Sequence, residues 1–118
     1  MSIISWGRRE RYAFSSCGAL ESWTPPAVPA VYAVTYQRDP SNTPKSHTVL
    51  LFGESANLSD QAYSIKTRMN DLLSRQGGNY SDLFIFIHPM KDSAPIERSR
   101  VVERLVLEYQ PEGNRMAE

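Results

Sequence analysis

The sequence predicts an α+β domain: a small three-stranded, mainly antiparallel sheet with flanking helices, in the order β-β-α-β-α. Three observations carry this. Residues 30 to 37 put Tyr32, Val34 and Tyr36 on one side and Val31, Ala33 and Thr35 on the other, the two-residue period of a strand covered on both faces. Leu58, Ala62, Ile65, Met69 and Leu72 recur at spacings of four, three, four and three, the stripe of a helix lying on a core. "DLFIFIH", residues 82 to 88, is a continuous apolar run that fits a central strand buried on both faces.

Each element follows from local chemistry. Residues 1–29 form an irregular arm: "WTPPAVP" holds three of the chain's eight prolines and cannot be helix interior. Trp6, Tyr12, Phe14 and Trp23 give that arm enough apolar surface to pack on the domain. The first strand leads into "RDPSNTPKS" (38–46), a loop by composition, which joins it to a second strand, "HTVLLF" (47–52), as a long antiparallel hairpin. Asn57 or Ser59 caps the first helix through a side-chain oxygen. "RQGGN" (75–79) ends it, its glycines free to take the left-handed turn. Pro89 stops the third strand. Ser93 and Pro95 open a second helix with Val102, Leu105, Val106 and Tyr109 as its apolar stripe. Glu97, Arg100, Arg104 and Glu108 form its solvated face, and Pro111 ends it. The domain thus spans 30–114, with a short tail at 115–118.

A length of 118 residues fits one domain, and 41% hydrophobic with 22% charged residues suits a modest folded core. Thirteen Lys and Arg balance thirteen Asp and Glu. Zero net charge argues against a strong non-specific nucleic-acid binder but leaves room for a local basic patch. A single cysteine, Cys17, excludes an intrachain disulfide and a Cys-based zinc site. No apolar run has the length of a membrane span, and the N-terminus lacks the basic-then-apolar order of a signal peptide, so a cytoplasmic protein without membrane contact is expected.

Most chemical motifs are absent. His47 and His88 have no ligand partner at helical spacing and read as structural or surface groups. Ser55 follows a glycine, but Asn57 stands where a nucleophile elbow needs its second glycine. "GES" (53–55) is no phosphate loop, having one glycine and no lysine after it. Two basic clusters remain: "GRRERY" (7–12), and Arg98, Arg100 and Arg104 on the second helix. Either can contact phosphates, so Arg98, Arg100 and Arg104 are candidate nucleic-acid contacts. Each also has acids beside it, Glu10 in one case and Glu97 and Glu103 in the other, which is the pattern of an ordinary solvated face.

The motifs in combination resemble the GIY-YIG nuclease superfamily over residues 29–114. Ala30-Val31-Tyr32 stands where the family's first strand carries Gly-Ile-Tyr. Leu51-Phe52-Gly53 stands where the second carries Tyr-Ile-Gly. Gly53, Ser55, Asn57 and Leu58 match a frequent Gly-x-Ser-x-Asn-Leu continuation, and Pro111 and Asn114 match a closing Pro-x-x-Asn. The resemblance implies a site where tyrosines orient water, an arginine on the first helix stabilises phosphoryl charge, and a glutamate on the second holds one divalent metal. Here that set is eroded. Tyr32 keeps the first tyrosine, but Leu51 replaces the second. Gln61 occupies the arginine position, and Arg68, on the same flank of the helix, lies about 10 Å further along its axis. Val102 falls on the glutamate position, with Glu103 one residue later.

Two functional expectations follow. The first is a nuclease-like domain without catalysis that binds nucleic acid, DNA for instance, or a protein, and needs no cofactor. The alternative is a divergent endonuclease using Tyr32, Arg68 and Glu103 as catalytic residues, with Mg²⁺ or Mn²⁺ on Glu103.

Overall fold

The computed structural model describes residues 3–36 and 48–115. Within them the chain builds five strands: β1 (Ile3–Trp6), β2 (Tyr12–Ala19), β3 (Ala30–Tyr36), β4 (Thr48–Ser55) and β5 (Leu83–Pro89). They form one sheet in the order β1-β2-β5-β3-β4, with every neighbouring pair antiparallel. Helices α1 (Ala62–Gln76) and α2 (Pro95–Tyr109) pack on it, and a single turn, α3 (Glu112–Arg115), closes the chain.

This corrects the three-stranded sheet expected from the sequence. The N-terminal segment is not an irregular arm. Residues 3–19 form a β-hairpin that joins the sheet through β2 against β5. The period of these strands is hard to read because β1 has only four residues and β2, "YAFSSCGA", is rich in small and polar side chains. Only Phe14 of β2 is fully buried. The expected 38–46 loop and His47 lie outside the described residues.

The alternation in β3 sorts the core into two layers. On one face Tyr32, Val34 and Leu51 pack with Ile65, Met69 and Leu72 of α1. On the other, Val31, Ala33, Phe52 and Phe86 pack with Val101 and Leu105 of α2. The hairpin contributes to that second core: Trp6 meets the rings of Phe14, Phe52 and Phe86 edge-on, with centroids 5.1, 5.9 and 5.5 Å apart.

The helix ends follow simple capping chemistry. Asn57 Oδ1 accepts the Ser59 N–H at 3.1 Å, but it caps a short 3₁₀ turn (Leu58–Asp60) that precedes α1. Glu97 Oε1 accepts the Ala94 N–H at 2.8 Å at the start of α2, with Pro95 in the first turn. The buried face of α2 is rotated from the expected stripe. Arg98, Val101 and Leu105 point inward, Val102 and Val106 flank them, and Tyr109 is partly exposed. The cause is Arg98, which an apolar-only count leaves out.

β4 is an outer strand, yet part of its open edge is closed. The Asn114 carboxamide accepts the Phe52 N–H and donates to the Phe52 carbonyl, both at 2.8 Å. One side chain thus replaces a missing strand neighbour.

Candidate functional site

Gly53 sits inside β4, opposite Tyr32 of β3. The Tyr32 ring lies across it so closely that a Cβ on residue 53 would run into the phenol. Glycine is required there for close approach rather than for a bend. Burial pushes the Tyr32 hydroxyl above its ordinary pKa; the Arg68 guanidinium opposes that shift and Glu54 adds to it. Arg68 reaches inward from α1 and donates to the Gly113 carbonyl at 2.8 Å, which ties α1 to the C-terminal turn. Tyr32 and Arg68 therefore share one neighbourhood.

Glu103 does not join them. It stands two residues from both Val101 and Leu105, about 200° round the helix from each, and is exposed. α2 also packs on the sheet face opposite to α1. Leu51 is core, Gln61 caps α1 without a side-chain bond, and Val102 packs at the margin of the α2 layer. Among the described residues no group of three or more His, Cys, Asp or Glu side chains is placed to hold a metal ion. Glu103 alone on a solvated face does not fit a catalytic Mg²⁺ or Mn²⁺.

The expected nucleic-acid contacts separate. Arg98 is only 2% exposed. Its Nε donates to Glu54 Oε2 at 2.8 Å, and its Nη1 donates to the Ser93 carbonyl and hydroxyl at 2.7 and 2.8 Å. It is a fastener between α2 and β4, not a phosphate contact, because Glu54 has already neutralised it inside the fold. Arg100 and Arg104 are exposed.

Tertiary folding brings Arg104 to the other basic cluster. The β1–β2 turn folds onto the C-terminal half of α2. The Gly7 N–H donates to the Tyr109 hydroxyl and the Arg8 N–H to Glu108 Oε2, each at 2.9 Å. Arg104 Nη1 donates to Glu10 Oε1 at 3.0 Å, and the Tyr12 hydroxyl to Glu10 Oε2 at 2.8 Å. Gly7 makes the turn with φ of 116°, and a Cβ there would strike the Glu10 carbonyl. A groove of 220 Å³ opens between turn and helix, lined by Arg9 and Arg104, by Glu10 and Glu108, and by Tyr12 and Leu107. Arg9 lines it, and Arg8 and Arg11 are exposed on the same turn, Arg11 donating to the Ser5 carbonyl at 3.5 Å. Tyr12's hydrogen bond, then Arg104, holds the Glu10 carboxyl below its ordinary range, and Glu10 in turn raises Arg104. Sequence reasoning found both clusters but not their union, since no local signal links residues about a hundred positions apart.

His88 is built into the fold. Its Nδ1 lies 2.8 Å from the Ala13 carbonyl, and its ring packs against Tyr12 and Phe14. No helix among the described residues is long and apolar enough to cross a membrane.

No family model matches the chain, and no curated protein or solved structure is significantly similar to it. Fold and surface define the class instead: an antiparallel five-stranded sheet between two helices, carrying a groove lined by two arginines and two glutamates.

Proposed function

We propose that the chain is a non-cleaving nucleic-acid-binding module that holds a phosphate backbone along the groove between the β1–β2 turn and α2. The observation that carries this is the docking of the turn that bears Arg8, Arg9 and Arg11 onto the Arg104 end of α2, through the Gly7 and Arg8 N–H groups and the bond from Arg104 to Glu10. Clustered guanidiniums at a rigid turn attract phosphates even when the whole chain is neutral, because screening confines the field to its own neighbourhood. Tyr12 adds an aromatic edge at the same place. This is the binding function that the motif likeness to GIY-YIG nucleases suggests, without the cleavage. The endonuclease alternative needs Tyr32, Arg68 and Glu103 to converge, and α1 and α2 lie on opposite faces of the sheet. Docking of a protein through Trp6 or Trp23 is disfavoured because both indoles are buried.

Fluorescence anisotropy with short labelled linear and branched DNA tests the reading. Wild type should bind at low salt and lose affinity steeply between about 50 and 200 mM. Arg8→Ala, Arg9→Ala and Arg11→Ala should each flatten the slope of log affinity against log salt by about one. The proposal fails if low salt gives no binding, or if the triple variant binds like wild type.

A further inference from the structure

α2 carries a second pattern that shares only Leu107 with the groove. Opposite its buried face runs a stripe of Ile96, Arg100, Glu103 and Leu107, all exposed, with Ile96 at 59% and Leu107 at 75%. Spacings of four, three and four put these side chains in one line along the helix, over about 16 Å. Among the described residues neither Arg100 nor Glu103 is in an ion pair. Ile96 and Leu107 stand singly at the two ends of the line, with both charges between them.

The stripe reads the same in both directions: apolar, charged, charged, apolar, with the two charges of opposite sign. We infer that it is a twofold interface at which α2 packs antiparallel against α2 of a second copy of the chain. An axis placed between residues 101 and 102 sets Ile96 against the partner's Leu107 and Arg100 against the partner's Glu103. The same two contacts recur on the other side of the axis, as an isologous interface requires. The occupant is a second copy because the complementarity is internal to the stripe. An unrelated partner would need neither the palindromic spacing nor the opposed charges. Antiparallel packing also sets the two helix dipoles head to tail. The β1–β2 turn docks through Arg104 and Glu108, on the flank of the stripe, and leaves the line itself open. The interface shares Leu107 with the groove, but its charge contacts, Arg100 and Glu103, do not line the groove, so the inference does not depend on nucleic-acid binding.

One exposed helix face is a small interface, so the dimer should be weak and concentration-dependent. Sedimentation equilibrium without nucleic acid tests it. Glu103→Arg replaces two attractive contacts per dimer with two repulsive ones and should weaken association at least about tenfold. Arg100→Glu should do the same. An equimolar mixture of the two variants restores both attractive contacts and should associate as a heterodimer. The double variant Arg100→Glu/Glu103→Arg should recover the homodimer, and Leu107→Asp should abolish it. All these side chains are exposed, so circular dichroism and melting of the monomer should not change. A wild type that stays monomeric up to about 1 mM overturns the inference. So does a dimer indifferent to the single charge reversals, or a mixture of the two that fails to associate.

Discussion

α2 makes two Arg–Glu pairs, one near each end, and they differ in almost everything but chemistry. Arg98 meets Glu54 at 2.8 Å with side chains 3% and 27% exposed. Arg104 meets Glu10 at 3.0 Å with side chains 56% and 62% exposed. The first binds the helix to β4 inside the protein and is backed by two further bonds to Ser93. The second holds a turn against the helix in full solvent. Nearly equal distances therefore conceal opposite energetics. Desolvation makes the inner pair costly to form and costlier to break singly, whereas water and salt screen the outer pair. The inner end of α2 is architecture, and the outer end is a surface that can respond to its surroundings.

The largest effect should come from the inner pair. Arg98→Met leaves Glu54 half-buried without its partner and should lower the unfolding free energy by about 3 kcal/mol, read by urea denaturation. Replacing both partners, as Arg98→Met/Glu54→Leu, should recover a good part of that loss, since no charge is then stranded. A cost below about 1 kcal/mol for Arg98→Met would erase the contrast with the outer pair. Next comes Gly53→Ala, one residue before Glu54. Its methyl must displace the Tyr32 ring, which should cost about 2 kcal/mol. The same substitution in a Tyr32→Ala background should cost much less, and additive costs would show that the ring is not the obstacle.

These two residues also mark what the sequence could and could not reveal. The faces of β3, the buried run of β5 and the α1 stripe were readable because apolar periodicity is a local property that packing enforces. Gly53 was readable as special, but its reason was not: the glycine accommodates a neighbour's ring across the strand pair, not a bend in its own chain. Arg98 was misjudged for a related reason. A charged residue reads as solvated until the strand that supplies its counter-charge is known, and Glu54 lies 44 positions away. The N-terminal hairpin was hidden because small and polar residues in β2 carry little alternation, while its buried anchors, Trp6 and Phe14, pack on each other and on rings of β4 and β5 that are distant in sequence. Of the candidate site residues, Tyr32 and Arg68 share a neighbourhood and Glu103 does not, because one residue of helical rotation decides which side of α2 a carboxylate faces.

The outer pair should give the smaller effects. Arg104→Gln should leave global unfolding unchanged within error while loosening the turn, visible as faster amide exchange at Gly7 and Arg8. The subtlest test is pH. Glu10 is held below its ordinary pKa of 4.5, first by Tyr12's hydrogen bond and then by Arg104. A carboxyl whose folded pKa is depressed contributes stability that is present above its unfolded value and lost as pH falls through the folded one. The turn should therefore stay docked from neutral pH down to the ordinary carboxylate range, then release below it. Protonated Glu10 keeps no charge for Arg104 and loses an acceptor site for the Tyr12 hydroxyl. Backbone NMR shifts of Gly7 and Arg8, followed from pH 7 to about 3, report this directly. Glu108 also accepts from the Arg8 amide, so Glu10→Gln is the necessary comparison. In that variant the turn should start looser and the acid step at Gly7 should shrink. An acid step of equal size in both proteins would take the release away from Glu10, and the outer end would then be held by the backbone bonds rather than by the ion pair.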